Sequence, residues 1–373
     1  MKNFSDTKSF ISFILLIVIS FSFSTAHSAA NIGSIDISQI DNNILVINGS
    51  GFGSGPTVNI FDEFSNGTTS NVIPNTSPQI GLWEPFASTN VQPTYDNISH
   101  SGNHSARAFD NDMKIFRYIF SSGITEVFVS YWIRIPDNTP FPGMDGGIKS
   151  FSSDSSWKFT WLYDESHSGA DSDICLPTYT GSGVLQHAGN DMNLIRLNHN
   201  LWWDWDNWMR ISVWLKANEA DPTTPGVVQT QTVSSGKGMY ITTNYDRAIF
   251  DTDGPDLKQY RHFNIPGWIR STSSPNTRVL YDDIYVASGR NAVSRVEIGN
   301  QSTYDNSTML AIQEVTSWSD NQITLRLRNG GFTDIKTGYI YLTDADGNAN
   351  SAGITILDRP SAPTDISITV GTN

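Results

Sequence analysis

The side chains able to do chemistry in this chain gather in a few short stretches. Tyr260-Arg261-His262 sets a phenol, a guanidinium and an imidazole in a row. In an extended strand Tyr260 and His262 would share one face, with Arg261 opposite. A phenol and an imidazole on one face form a proton donor and acceptor, the requirement for general acid–base catalysis. Gln186-His187 offers a second imidazole beside an amide. A third stretch, Trp208 to Lys216, alternates: Met209, Ile211, Val213 and Leu215 point one way, while Trp208, Arg210, Ser212, Trp214 and Lys216 point the other. Glu126 to Ile135 repeats the pattern, setting Phe128, Ser130, Trp132 and Arg134 against Val127, Val129, Tyr131, Ile133 and Ile135. Trp157, Phe159, Trp161 and Tyr163 fall on a further aromatic face. Sugar rings stack their C–H faces on aromatic planes, and arginine or lysine holds a carboxylate or sulfate by charge-assisted hydrogen bonds. A face carrying Trp132, Arg134, Arg210, Trp214 and Lys216 would therefore grip an extended, acidic glycan. The competing reading packs these tryptophans between layers and leaves the cations in water.

The elements that must position these groups are strands. After the first thirty residues helical periodicity is nearly absent, and alternating stretches recur between Gly, Pro, Asn, Asp and Ser clusters, which predicts an all-β sandwich. Strands are expected over Asn43–Ile47, Lys114–Phe120, Glu126–Ile135, Trp157–Tyr163, Trp208–Lys216, Gly238–Thr242, Arg278–Ala287, Gln322–Leu327 and Gly338–Thr343. Two acidic segments stand out, Phe61-Asp62-Glu63-Phe64 and Tyr281-Asp282-Asp283-Ile284-Tyr285-Val286. Carboxylates are awkward inside a sheet unless they pair, cap or bind a cation. Asp344-Ala345-Asp346-Gly347-Asn348 lacks the downstream glutamate of a calcium loop, and Asp-Gly between two strands predicts a hairpin turn.

Composition narrows the class. Lys2 and Lys8 precede the apolar run Phe10 to Phe23, and Ser28-Ala29-Ala30 supplies small residues for cleavage, so residues 1–30 read as a secretory signal peptide. No second apolar run is long enough for a membrane span, and the expected location is secreted, extracellular or periplasmic. Cys175 is the single cysteine, which rules out an internal disulfide. A net charge of −14 argues against nucleic acid or an anionic membrane as partner. There is no phosphate loop, no nucleotide-binding glycine fingerprint and no zinc-type His/Cys spacing, and no organic cofactor is expected.

The two acidic segments, Phe61–Phe64 and Tyr281–Val286, resemble the first and last strands of a concanavalin A-like jelly roll, the lectin and glucanase sandwich, in which the terminal strands lie side by side. That resemblance implies a structural Ca²⁺ at the junction, with Asp62, Glu63 and Asp283 as oxygen ligands. Ile44-Leu45-Val46-Ile47-Asn48-Gly49-Ser50-Gly51-Phe52-Gly53 resembles the opening of an immunoglobulin-like IPT/TIG module, and Trp318 to Leu325 with Gly338 to Gly347 look like its later strands. The expected layout is a signal peptide over 1–30, the first part of a TIG-like module over 31–58, a jelly roll over 59–291, the rest of the module over 292–358, and a loose tail over 359–373. The alternative is two separate small β modules flanking the jelly roll.

Jelly-roll polysaccharide lyases supply a chemical template. β-Elimination from a uronate needs a donor to neutralise the carboxylate, a base for the C5 proton and an acid for the leaving oxygen. Gln186-His187 resembles the Gln-x-His element of alginate-lyase-like jelly rolls without its intervening residue, while the Arg-x-Glu-x-Arg and Tyr-x-Lys-x-Gly signatures are absent. The resemblance implies Tyr260 with His262 or His187 as the proton-moving groups. Arg134, Arg210, Lys216 and Gln186 would hold the polyanion, with Trp132, Trp161, Tyr163 and Trp214 beneath its sugar rings. The glycosidase alternative lacks its string: no Glu-x-Asp-x-x-Glu occurs, and Glu63, Glu84, Glu126, Glu165 and Glu219 are the only glutamates of the central region. The sequence thus points to an exported protein acting on extracellular polysaccharide, as a lyase or as a non-catalytic binding or adhesion protein. It leaves the oligomeric state open.

Overall fold

The computed structural model describes residues 30–85, 92–110, 112–113, 115–134, 157–163, 173–180, 184–189, 192–196, 204, 206–220, 226–244, 259–266, 268–269 and 279–357. Among them the elements are β-strands with three short 3-10 turns and no α-helix. The sheets stack in four layers, and the order of those layers decides which side chains can meet a ligand.

The second layer, here the central sheet, runs Gly238–Asn244, Val227–Ser234, Trp208–Lys216, Glu126–Arg134, Val279–Ser288, Ser105–Asp110, Thr94–Asp96. Thr57–Asp62 also pairs with Val279–Ser288, setting Ile284 opposite Asp62, so the two acidic segments are neighbours. Its middle strands are in full antiparallel register, Trp208 opposite Arg134 through Lys216 opposite Glu126. The outer sheet runs Met192–Arg196, Val184–Gly189, Asp173–Thr180, then two interrupted strands (Trp157–Lys158 with Trp161–Tyr163, and Tyr260–Ile265 with Trp268–Ile269), and Phe116–Ile124 beside Tyr260–Ile265.

Period-two alternation builds the core between these sheets. Val127, Val129, Tyr131, Ile133, Met209, Ile211, Val213 and Leu215 from the central sheet meet Phe116, Phe120, Phe159, Leu162, Phe263 and Ile265 from the outer one. Expectation and structure diverge at Trp157–Tyr163. The strand breaks at Phe159-Thr160, where the alternation resets, so Phe159 is buried in the core and does not share a face with Trp161.

The third and fourth layers form a smaller sandwich. Its near sheet is Leu310–Ile312, Arg295–Gly299, Tyr339–Thr343 and Ile354–Thr355; its far sheet is Asn31–Asp36, Ile44–Ser50, Gln322–Arg326 and Glu314–Trp318. Residues from both ends of the chain are thus hydrogen-bonded in one sheet, Leu45 opposite Leu325 and Ile47 opposite Ile323. Leu45, Ile47, Val296, Ile298, Ile323, Leu325, Ile340 and Leu342 fill the space between these two sheets. Gly49 fits a tight place there, because a Cβ would lie 2.0 Å from the Asn31 carbonyl. The Asp344–Asn348 segment is a turn: the Asp344 carboxylate accepts the Asp346 and Asn348 amides, and Gly347 takes φ +80°.

Parity then fixes the contact between the sandwiches. With Val296 and Ile298 committed to the small core, Arg295 and Glu297 must face the central sheet. Arg210 Nη1 donates to Glu297 Oε1 and to the Leu310 carbonyl, and its Nη2 to Gln231. Glu297 also pairs with Arg295 at 3.1 Å and accepts from the Tyr304 hydroxyl at 2.7 Å. Burial raises the Glu297 carboxyl, but Arg210 and Arg295 outweigh it and hold the group at about 2. A carboxyl depressed in the fold stabilises it above its unfolded value of 4.5 and loses that contribution as pH falls through about 2. Arg210→Ala strands a buried carboxylate on its remaining partners, and chemical denaturation should report a loss of about 3 kcal/mol. Arg210→Met, which refills the volume, should lose less; equal losses would mean that the vacated volume contributes nothing and the missing charge alone sets the cost.

Candidate functional site

The face of the central sheet expected to form a glycan groove is closed. Trp132 is 3%, Trp214 5% and Arg210 1% exposed. Trp132 packs with Val233, Tyr304, Leu310 and Tyr341, and Trp214 with Phe61, Phe128, Tyr285 and Ile312. The alternation of faces holds, but the second face is covered by the small sandwich, so its tryptophans serve as core between layers. The cations are committed as well. Arg134 donates to the Asp206 carbonyl at 2.7 Å, and Lys216 pairs with Glu126 at 3.6 Å near the Trp214 ring. Trp132, Arg210 and Trp214 of the expected substrate-binding set therefore belong to the seam between modules, while Arg134 and Lys216 lie at the ends of their strands on partners within the larger sandwich.

The acidic junction also takes a different role. Asp62 is buried, and its carboxylate accepts the Phe64 amide (3.0 Å), the Ser77 hydroxyl (2.6 Å) and the Trp83 indole N–H (2.8 Å). Burial pushes the Asp62 carboxyl up to about 6 against those donors. Asp283, at φ +47° in a bulge of its strand, accepts from Ser101 and meets His100 Nδ1 at 2.7 Å. Glu63 turns toward Arg328, 3.3 Å away. Each carboxylate thus has its own protein partners, and among the described residues no group of three His, Cys, Asp or Glu side chains is placed to hold a metal. The expected calcium ligands Asp62, Glu63 and Asp283 are neighbours whose oxygens meet hydroxyl, indole, imidazole and guanidinium groups.

The outer sheet presents the other candidate surface. Phe263 and Ile265 point into the core, so His262 and Asn264 lie on the opposite side. A register shift between Tyr260 and His262 breaks the expected pairing of faces: Tyr260 is 1% exposed and packs in the core, whereas His262 is half-buried. Tyr260 is therefore removed from the acid–base set by an irregular pairing, in which two steps along its own strand, Tyr260 to His262, stand against five along the partner, Ile124 to Ile119. Across the sheet, Asn264 stands opposite Arg117 and Trp161, and Arg117 Nε donates to Asn264 Oδ1 at 3.2 Å. Arg117 is exposed and Trp161 half-buried, while Asn264 is only 2% exposed and lies beneath Arg117 as its acceptor. In the next row His262 stands opposite Ile119 and Tyr163. A further row sets Gln186 opposite Thr178 and Arg196. His187 pairs with Ile195. The side chains of Tyr163, Gln186 and His187 lie outside the described residues. Two residues of this face went unremarked in the sequence, Arg117 and Asn264. Both lie at the positions between core-facing aromatics that alternation assigns to the outside.

No protein-family description matched the chain, nor did any curated protein. Among solved structures it is similar to an alginate lyase at 12% identity, covering 62% of this chain and 97% of that one with a TM-score of 0.40. It is also similar to a marine alginate lyase from Aplysia kurodai at 12% identity (53% and 87% covered, TM-score 0.36). A third similarity is to arcelin-5, a lectin-like defence protein from Phaseolus vulgaris, at 7% identity (63% and 99% covered, TM-score 0.33). At that degree of superposition the residues of this chain carry the functional reading.

The core position of Tyr260 makes a direct prediction. Tyr260→Phe should leave retention on an acidic glycan gel, and any depolymerising activity, within about twofold of the parent. Tyr260→Ala should cost about 3–5 kcal/mol of stability in a denaturant titration. A Tyr260→Phe protein that folds but loses activity would return this residue to the chemistry.

Proposed function

We propose that this chain is an exported polysaccharide-active protein that holds an extended acidic glycan along the outer sheet. The observation that carries this reading is the row Arg117–Asn264–Trp161 beside His262, on the side of the sheet turned away from the core. An indole to stack a sugar ring, a guanidinium and an amide to take a carboxylate, and an imidazole one row away are the parts that uronate recognition needs. Cationic groups on that face also suit a polyanion better than the net charge of −14 does. In this reading the larger sandwich is a concanavalin A-like jelly roll, and the smaller is a TIG-like module assembled from both chain ends.

The same face supports β-elimination. Arg117, oriented by the buried Asn264, would neutralise the uronate carboxylate and so acidify its C5 proton, which His262 would remove. The leaving oxygen needs a proton from a second group. The core position of Tyr260 also favours a second reading, a lectin-like protein that binds along this face without cleaving.

Incubation with alginate, glucuronan, chondroitin and pectin separates the two. A lyase generates a new ultraviolet-absorbing unsaturated uronate, and His262→Ala should abolish it by at least about a hundredfold while leaving glycan retention in place. Retention without new absorbance, weakened by Trp161→Ala and Arg117→Ala, would select the binding protein. Absence of retention on every acidic glycan would overturn both readings.

A further inference from the structure

Gln231 links the buried charge group of the seam to an edge of the molecule. Its Oε1 accepts from Arg210 Nη2, and its Nε2 donates to the Tyr304 hydroxyl at 3.0 Å and to the Met239 sulfur at 3.5 Å. Both amide hydrogens are thereby used, and the thioether is the outermost member of the chain Arg210–Gln231–Met239. Arg210 and Gln231 are buried, whereas Met239 is half-buried. Met239 lies on Gly238–Asn244, the end strand of the central sheet among the described residues, where Tyr240 and Ile241 beside it are exposed. From there it stands opposite Val233 and packs on the cluster of Trp132, Val233, Tyr304, Leu310 and Tyr341 that joins the two sandwiches. A thioether packs as an apolar group, yet oxidation makes it strongly polar.

We propose that Met239 is an oxidation site that governs the seam: a hydroperoxide converts its thioether to a sulfoxide, which withdraws from Gln231 and loosens the hold of the small sandwich on the central sheet.

The step uses a sulfur lone pair that the Gln231 amide does not engage. That pair attacks the outer oxygen of the peroxide, so an S–O bond forms and the O–O bond breaks. The departing oxygen receives the proton of the transferred one and leaves as water, or as an alcohol from an organic hydroperoxide. Sulfur gives up two electrons and the peroxide takes them. The new oxygen does not fit where the sulfur now sits. A span of 3.5 Å holds one N–H···O contact of about 2.9 Å but not the S–O bond in addition. The side chain must therefore back out toward the sheet edge, leaving one Gln231 hydrogen without its partner and uncovering the flank of Tyr304. Met209 provides the contrast: it is buried among Ile211, Val213 and Phe263 in the core of the larger sandwich, away from any edge.

Treatment of the folded, full-length chain with hydrogen peroxide tests this, with oxygen uptake at each methionine read by peptide mass spectrometry. Met239 should be oxidised at least about fivefold faster than Met209, since susceptibility follows exposure. Once Met239 is oxidised, the unfolding equilibrium constant from a denaturant titration should rise by about threefold or more, the scale of one lost hydrogen bond. Met239→Leu keeps the volume and leaves the other methionines to react, so it should show less than half of that rise on a logarithmic scale. A smaller rate ratio, a smaller rise, or a Met239→Leu protein that keeps more than half of it would overturn the proposal. If Met239→Leu does not fold, partly oxidised parent decides the matter by hydrogen exchange at residues 227–234 and 304–312. Exchange that quickens in step with Met239 oxidation supports the site, and exchange that follows Met209 or Met309 instead overturns it.

Discussion

A buried guanidinium held between two layers organises this molecule. Arg210 rises from the middle of the central sheet and ends on Glu297 of the small sandwich, with Gln231, Tyr304 and Arg295 completing the group. Such a group persists in an apolar interior only when every charge is answered, so the two modules must sit in a fixed register for it to exist at all. The register in turn presses Trp132 against Leu310 and Tyr341, and Trp214 against Ile312. The middle strands of the central sheet, Glu126–Arg134 and Trp208–Lys216, are therefore covered on both faces. Their first side packs on the outer sheet, their second on the small sandwich, and whatever this protein recognises must be met elsewhere.

That constraint explains what could and could not be read from the chain. Alternation in Glu126–Arg134 and Trp208–Lys216 separates Val129 and Val213 from Trp132 and Trp214 without ambiguity, because period two is a property of the strand itself. Which of two faces meets water is not local. An indole beside an arginine looks alike whether it awaits a sugar or a second module, and here Glu297 and Tyr304, far along the chain, decide it. The pairing of Asp62 with the 279–288 strand was legible because both segments are acidic interruptions in apolar strands. The donors that satisfy them, Ser77, Trp83 and His100, come from irregular segments that carry no periodic signal. Tyr260 failed for a smaller reason: surplus residues in the neighbouring Phe116–Ile124 strand break the pairing beside it, Tyr260 turns inward, and no sequence pattern marks that shift.

The consequence for function is a change of side. The proposed binding groups belong to the outer sheet, where Trp161, the buried Asn264 and the exposed Arg117 stand in one row and His262 in the next. The small sandwich, fixed behind the central sheet, then acts as a rigid mount that leaves this surface facing away from it.

The central claim is that the larger sandwich needs its cover. Expression of residues 59–291 alone tests it most directly, because excision would expose Phe128, Trp132, Trp214 and Tyr285 with an unanswered Arg210 among them. The account predicts a fragment that aggregates or binds a hydrophobic-surface dye strongly and melts without cooperativity. A monomeric fragment with a sharp transition near that of the intact chain and no dye binding would contradict it.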